Sequence, residues 1–177
     1  MDTRPLPDRA WLVARLSYNP ESGALIWLNR PLSDFPGPTG HRNWNRLYAG
    51  KPAGYICNGY RWIKISNVKY QASRIIWKIM TGEDPIFLVD HKNNIATENR
   101  WDNLRPATSE NNNRNRLKPS TNTTGYKGAS VFGHRFRATI CVGGQRKHLG
   151  LFDTAIEAHA VYCAAAREHF GEFWNAG

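Results

Sequence analysis

The 177-residue sequence contains no apolar run approaching the ~20 residues that a membrane-spanning helix needs. Its opening, M-D-T-R-P-L-P-D-R, has no apolar stretch of the kind that directs export. These absences predict a protein that stays where it is made, with no membrane partner. Cysteine is scarce as well: Cys57, Cys141 and Cys163 are odd in number, widely spaced and set among apolar or strand-like neighbours. That pattern excludes a disulfide framework and a zinc knuckle, and it predicts small buried thiols in a reducing compartment. Acidic residues are few, 14 against 24 Lys and Arg, which leaves a formal net charge of +10 and a pI near 9.9. So basic a chain is expected to meet a polyanion, of which nucleic acid is the commonest.

What is present divides the chain into segments. A short helix is expected over residues 8–16, where Trp11, Leu12 and Leu16 recur at helical spacing behind Asp8. Turn chemistry at residues 18–23 leads to a strand over 24–27. Residues 31–54, rich in Pro, Gly, Asn and Arg with no clear period, read as a basic loop. A hairpin follows around Asn58-Gly59, joining strands 53–57 and 60–65. Residues 70–80 carry Ile75, Ile76, Ile79 and Met80 on one helical face, with Gly82 as the stop and Trp77 in the core. Then come a strand over 86–89 that delivers Asp90 and His91 at its end, a polar loop over 92–100, a strand over 103–106, and a helix capped by Thr108 or Ser109 that runs to Arg116.

The stretch 89–116 gathers the chemistry. Cutting a phosphodiester requires a base for the attacking water and positive charge against the phosphate oxygens and the leaving alkoxide. His91 has the ordinary affinity for a proton that suits a neutral base. Asp90 beside it offers hard oxygen to a cation such as magnesium, and an Asn carbonyl from the following helix would add another ligand. In that helix Asn112 and Asn115 share a face.

The sequence D-H, seven residues, then N-R-W-D-N-L-R-P-A-T-S-E-N-N-N-R-N resembles the HNH, or ββα-metal, endonucleases of phages and mobile introns. The preceding G-Y-R-W-I-K-I and R-I-I-W-K-I-M-T-G-E-D-P resemble the region before the motif in phage members. The resemblance implies His91 as general base, Asp90 and Asn112 as metal ligands, and Asn103 as the residue that hydrogen-bonds across the hairpin to hold the His91 segment. It also implies one divalent ion, often magnesium, and products with a 5′-phosphate and a 3′-hydroxyl. Two positions depart from the commonest pattern: Asn112, a substitution seen in the homing branch, where many members have His, and Ser73 where phage relatives commonly have His.

Residues 117–124 have linker composition, and the remainder changes texture. Strands are expected over 126–132, 135–142 and 145–152, then a helix opened by the capping box T-A-I-E and striped with Ala158, Val161, Tyr162 and Ala165. Alternation puts Arg135, Arg137 and Thr139 on one face of the middle strand, with Phe136, Ala138, Ile140 and Val142 on the other. G-Y-K-G, R-F-R-A-T-I and H-L-G-L-F-D-T-A-I-E-A-H-A-V-Y resemble the AP-two domain of plant ethylene-response factors and its phage homing-endonuclease relatives. That resemblance implies a three-stranded sheet in the DNA major groove, with Lys127, Arg135, Arg137, Arg146 and Lys147 as contacts. Arg146 and Lys147, being adjacent, fall on opposite faces. Ser130 stands where plant members have a base-reading Arg.

The expected fold class is therefore α+β: a ββα-metal nuclease unit followed by a small three-stranded antiparallel sheet packed on one helix. The expected divisions are residues 1–52, a nuclease domain over 53–116, a linker over 117–124 and a DNA-binding domain over 125–177. The expected activity is that of a site-directed, homing-type DNA endonuclease that nicks as a monomer, in the cytoplasm of a bacterial or phage-infected cell, on double-stranded DNA and without an obligate protein partner. The alternative is an inactive sequence-specific DNA-binding regulator on the same scaffold. An RNA-binding protein is disfavoured because the C-terminal sheet has no interleaved exposed aromatics.

Overall fold

The computed structural model describes residues 4–177. It forms two compact units, one ending at Ala107 and the other running from Thr108 to Gly177. Both combine helices with antiparallel sheets, so the class is α+β. The division falls upstream of the linker composition at 117–124.

The first unit begins with α1 (Arg9–Val13), which buries Leu12. Strands β1 (Leu16–Tyr18) and β2 (Leu25–Trp27) then form an antiparallel hairpin with Leu16 opposite Trp27. The connecting turn is built by Asn19, whose Oδ1 accepts from the backbone N–H groups of Glu21 and Ser22 at 2.9 Å each. The expected loop over 31–54 instead contains α2 (Pro38–Tyr48). It buries none of its residues, and its apolar positions, Trp44, Leu47 and Tyr48, are confined to its C-terminal half behind a start that contains Pro38 and Gly40. Pro38 suits the first helical turn, whose N–H groups have no partner within the helix. Tertiary contacts fix the rest: Trp44 meets Trp27 edge-on at 5.4 Å, and the Asn45 side chain clamps the Arg30 backbone through both its oxygen (2.9 Å) and its nitrogen (3.0 Å).

Strands β3 (Tyr55–Cys57), β4 (Tyr60–Ile65) and β5 (Val68–Gln71) form one antiparallel sheet. Asn58 and Gly59 both have positive φ, as the expected two-residue turn requires. The next turn, Ser66-Asn67, also has both residues at positive φ. Ser there is a weak turn signal, so the expectation of a helix from Tyr70 misses β5. The helix itself, α3 (Ala72–Thr81), starts two positions later, buries Ile75, Ile76 and Ile79, leaves Met80 exposed and ends on left-handed Gly82. Trp77 packs against Phe87 (4.9 Å) and Trp101 (5.1 Å).

Strand β6 (Leu88–His91) pairs with β7 (Leu104–Ala107). Asp90 and His91 thus lie within the strand rather than just beyond it, and Ile86, expected in that strand, is 87% exposed. One core joins Leu12, Leu16, Leu25 and Trp27 to Ala53, Ile63, Ile75, Ile76 and Leu104. Residues before 53 therefore share the core of the segment that follows.

The second unit opens with α4 (Ser109–Asn115), capped by Thr108, whose side chain accepts from Asn111 N–H at 3.1 Å. Strands β8 (Ala129–Phe132), β9 (Arg135–Val142) and β10 (Gln145–Phe152) follow in the spatial order β10-β9-β8, with α5 (Ala155–Phe170) behind them. The capping box at Thr154 and Glu157 forms as expected. Ala158, Tyr162, Ala166 and Phe170 are the buried stripe, with Val161 and Ala165 half-buried beside it. Tyr162 lies so close to the backbone at Gly128 that a Cβ there would come within 2.1 Å of its ring. The thiols are not the buried groups expected: Cys57 and Cys141 are exposed and Cys163 is intermediate. Cys57 sits on a hairpin tip and Cys141 on the outer face of β9, where neither strand has a covering layer.

Candidate active site

The β6–β7 register sets Asp90 opposite Arg105 and His91 opposite Leu104. All four side chains are at least nine-tenths buried. Arg105 Nε donates to Asp90 Oδ2 at 2.9 Å, a charge-assisted bond within a cross-strand ion pair. The Asp90 carboxylate is thus held in place but shares its charge with a guanidinium, a partner that sequence reasoning did not assign.

His91 is 5% exposed and Asn99 is 2% exposed, with Nε2 of the former 3.0 Å from Oδ1 of the latter. The Asn99 amide is oriented by its own Nδ2, which donates to the Thr97 carbonyl at 3.3 Å. Its oxygen therefore faces the ring, and His91 Nε2 is the donor. In the neutral imidazole the lone pair then belongs to Nδ1. Burial lowers the His91 pKa below its ordinary value of 6.5, and the Asn99 bond and the charges of Asp90 and Glu98 oppose that shift without cancelling it. That shift favours the neutral ring, the form in which an imidazole can accept a proton.

Asn103, at the end of the 3-10 turn Trp101–Asn103, secures the loop between the strands. Its Oδ1 accepts from Asn93 N–H (3.1 Å), its Nδ2 donates to Asn93 Oδ1 (3.0 Å) and to the Glu98 carbonyl (2.7 Å), and its own carbonyl accepts from Lys92 N–H (2.9 Å). Its side chain reaches the loop rather than the His91 ring.

The β1–β2 hairpin reaches the same place. Tyr18 donates its hydroxyl to the Asn99 carbonyl at 2.8 Å, and burial, helped by the Asp102 charge, pushes the Tyr18 pKa up to about 12. Trp101 N–H donates to the Pro20 carbonyl at 2.9 Å. Gly23, at φ +72°, lies so close that a Cβ would come within 2.6 Å of Arg100 N and Asn99 C. A sequence motif confined to residues 89–116 contains no signal for this buttress.

In the second unit, Asn112 lies partly exposed on α4, its N–H donating to the Thr108 carbonyl (2.9 Å). Asn115, one turn on, is buried. Among the described residues no three His, Cys, Asp or Glu side chains gather into a metal-holding group. Asp90 belongs to the first unit and Asn112 to the second, and each side chain offers hard oxygen of the kind that suits a hydrated divalent cation rather than zinc.

The candidate DNA contacts separate into two kinds. Arg137 opposes Ser130 on β8 and Leu151 on β10, and Arg146 opposes Cys141, so both belong to the outer face of the sheet. They line a shallow groove there with Phe132, Thr139, His148 and Leu151. Arg135 shares that face and is tethered to the Leu151 carbonyl (3.0 Å) and to Asp153 (3.0 Å). Lys147 opposes Ile140 and so falls on the other side by alternation, although its side chain is exposed. Lys127 differs from the rest. Its ammonium donates to the carbonyls of Arg114 (3.0 Å), Arg116 (2.6 Å) and Asn175 (3.0 Å), and burial lowers its pKa. That side chain is engaged in tying the second unit together, which its place in a G-Y-K-G turn did not signal.

Residues 70–114 match the family model described as HNH endonuclease. The match supports a nuclease. It begins in β5 and takes in α3, β6, the Trp101–Asn103 turn, β7 and most of α4, and so includes Asp90, His91, Asn103 and Asn112. No curated protein and no solved structure matches the chain. No helix among the described residues is long and apolar enough to cross a membrane.

Proposed function

We propose that the chain is a metal-dependent, site-directed DNA endonuclease of the homing type, in which His91 is the general base. The observation that carries this reading is the buried His91–Asn99 pair, at the end of β6 and inside the matched HNH segment. Asn99 accepts from Nε2, so Nδ1 takes the proton from water as the water oxygen attacks phosphorus. The phosphorus bond to the 3′ oxygen then breaks, leaving a 5′-phosphate and, once the leaving oxygen is protonated, a 3′-hydroxyl. A divalent ion, magnesium by resemblance, would supply the positive charge that the phosphate oxygens and leaving group require, and the same resemblance names Asp90 and Asn112 as its ligands. Asn103 keeps the connecting loop, and with it the end of β6, in register. Arg137 and Arg146 on the outer sheet face contact DNA, where arginines are suited to guanine edges.

One nuclease site per chain leads to nicking by the monomer. With magnesium, supercoiled plasmid is expected to become open circle without prior linear product, and a chelator is expected to stop the reaction. Failure of every divalent ion to support strand cleavage would overturn the reading. The other reading, an inactive DNA-binding regulator, draws on the Asp90–Arg105 ion pair, because a carboxylate shared with a guanidinium is a weaker cation ligand.

A further inference from the structure

The sheet β3-β4-β5 has two unlike faces. Ile63, Ile65 and Tyr70 turn into the core of the first unit. Tyr60, Trp62 and Lys64 alternate with them along β4 and so lie on the opposite face. Cross-strand pairing adds Tyr55 opposite Trp62, Lys69 opposite Lys64 and Gln71 opposite Trp62 to that same face. Tyr55 and Tyr60 are 40% and 41% exposed, both lysines are exposed, and Trp62 is half-buried with its Nε1 anchored to the Cys57 carbonyl at 3.2 Å. No aromatic ring among the described residues stacks on any of these three. The first unit thus presents an outward face on which three clustered aromatic rings are flanked on one side by two lysines, and none of these residues belongs to the site described above.

Aromatic faces attract nucleobases, but the bases of an intact duplex already stack on one another and pair across the helix. Only an unpaired strand can offer them. Tyr60 and Trp62, two residues apart on one strand, are separated by about 6.7 Å along it, roughly twice the ~3.4 Å rise of stacked bases, which suits bases parted from one another. Lysines beside the rings supply the charge that tracks phosphates. We propose that this face of the first unit binds an unpaired DNA strand by base stacking, as a second nucleic-acid contact independent of the outer face of β8-β9-β10. That the strand is DNA rather than RNA rests on the nuclease reading above.

The test uses the full chain with chelator present, so that cleavage plays no part, and follows fluorescence anisotropy of a labelled oligothymidylate of about twenty nucleotides beside a duplex of equal length. Tyr55→Ala and Tyr60→Ala truncate exposed rings and should keep the fold, as thermal melting would show. Each is expected to weaken oligothymidylate binding by about 5–100-fold while duplex binding changes by less than about twofold. Tyr60→Phe, which keeps the ring face, should retain binding. Equal losses on both DNAs, no loss on the single strand, or failure of Tyr60→Phe to bind would overturn the proposal, and tighter binding of an oligouridylate would overturn its assignment to DNA. Intact strand binding by a protein that, in a separate assay without chelator, cleaves no DNA with any divalent ion would count against the nuclease reading alone.

Discussion

His91 Nε2 lies 3.0 Å from Asn99 Oδ1, with both side chains shut away from solvent. The bond fixes the imidazole tautomer, and Asn99→Ala should therefore reduce strand cleavage by about 10–100-fold while DNA binding is kept. Because burial holds the His91 pKa below 6.5, activity should be lost only as pH falls through that lowered value. Asn99→Asp places a negative charge against Nε2 and should move the acid limb of the pH–rate profile upward. An unmoved limb would show that this pair does not control the titration.

Tyr18 and Gly23 give a second prediction, since the hairpin they belong to supports Asn99 from outside the motif. Tyr18→Phe removes the hydroxyl bond to the Asn99 carbonyl and should cost about 1 kcal/mol in urea denaturation. Gly23→Ala forces a Cβ against Asn99 and Arg100 at positive φ and should cost about 1–3 kcal/mol.

Asp34 provides a pH test of the fold. Its carboxylate accepts from Arg15 Nε at 2.6 Å and from Arg30 Nε at 2.8 Å. The Arg15 bond, with Arg30 assisting and burial opposing, lowers its pKa to about 2 from 3.8. A carboxylate with a depressed folded pKa stabilises the protein fully above its unfolded value, so this contribution is present above about pH 4 and disappears as pH falls towards 2. Asp34→Asn should flatten that part of the stability curve. A wild-type curve already flat between pH 4 and 2 would contradict the assignment.

Lys127 and Arg137 should behave in opposite ways. Lys127→Met leaves three carbonyls without their ammonium and should lower the melting temperature of the second unit, with little change in the salt dependence of DNA binding. Arg137→Ala should weaken duplex binding and leave the melting temperature almost unchanged.

Legibility in the sequence followed the range of the interactions. The Asn58-Gly59 hairpin, the Thr154 capping box and the alternation along β9 rest on neighbours within a few residues, and all are present. Helix α2 was hidden because its contacts run to Trp27 and Arg30 rather than along its own face. Ser66-Asn67 adopts a turn that its composition only weakly signals, which concealed β5 and the aromatic face it completes. Spacing singles out Asp90 and His91 as candidates but not their neighbours Arg105 and Tyr18, since register and a distant hairpin bring those in.

The most direct test of the account is the single-turnover nicking rate of His91→Ala against wild type, with magnesium present and protein saturating the DNA. Loss of a general base predicts a fall of about 10²–10⁴-fold at unchanged DNA affinity. Nicking by the variant at the wild-type rate would contradict the assignment of His91 and, with it, the proposed mechanism.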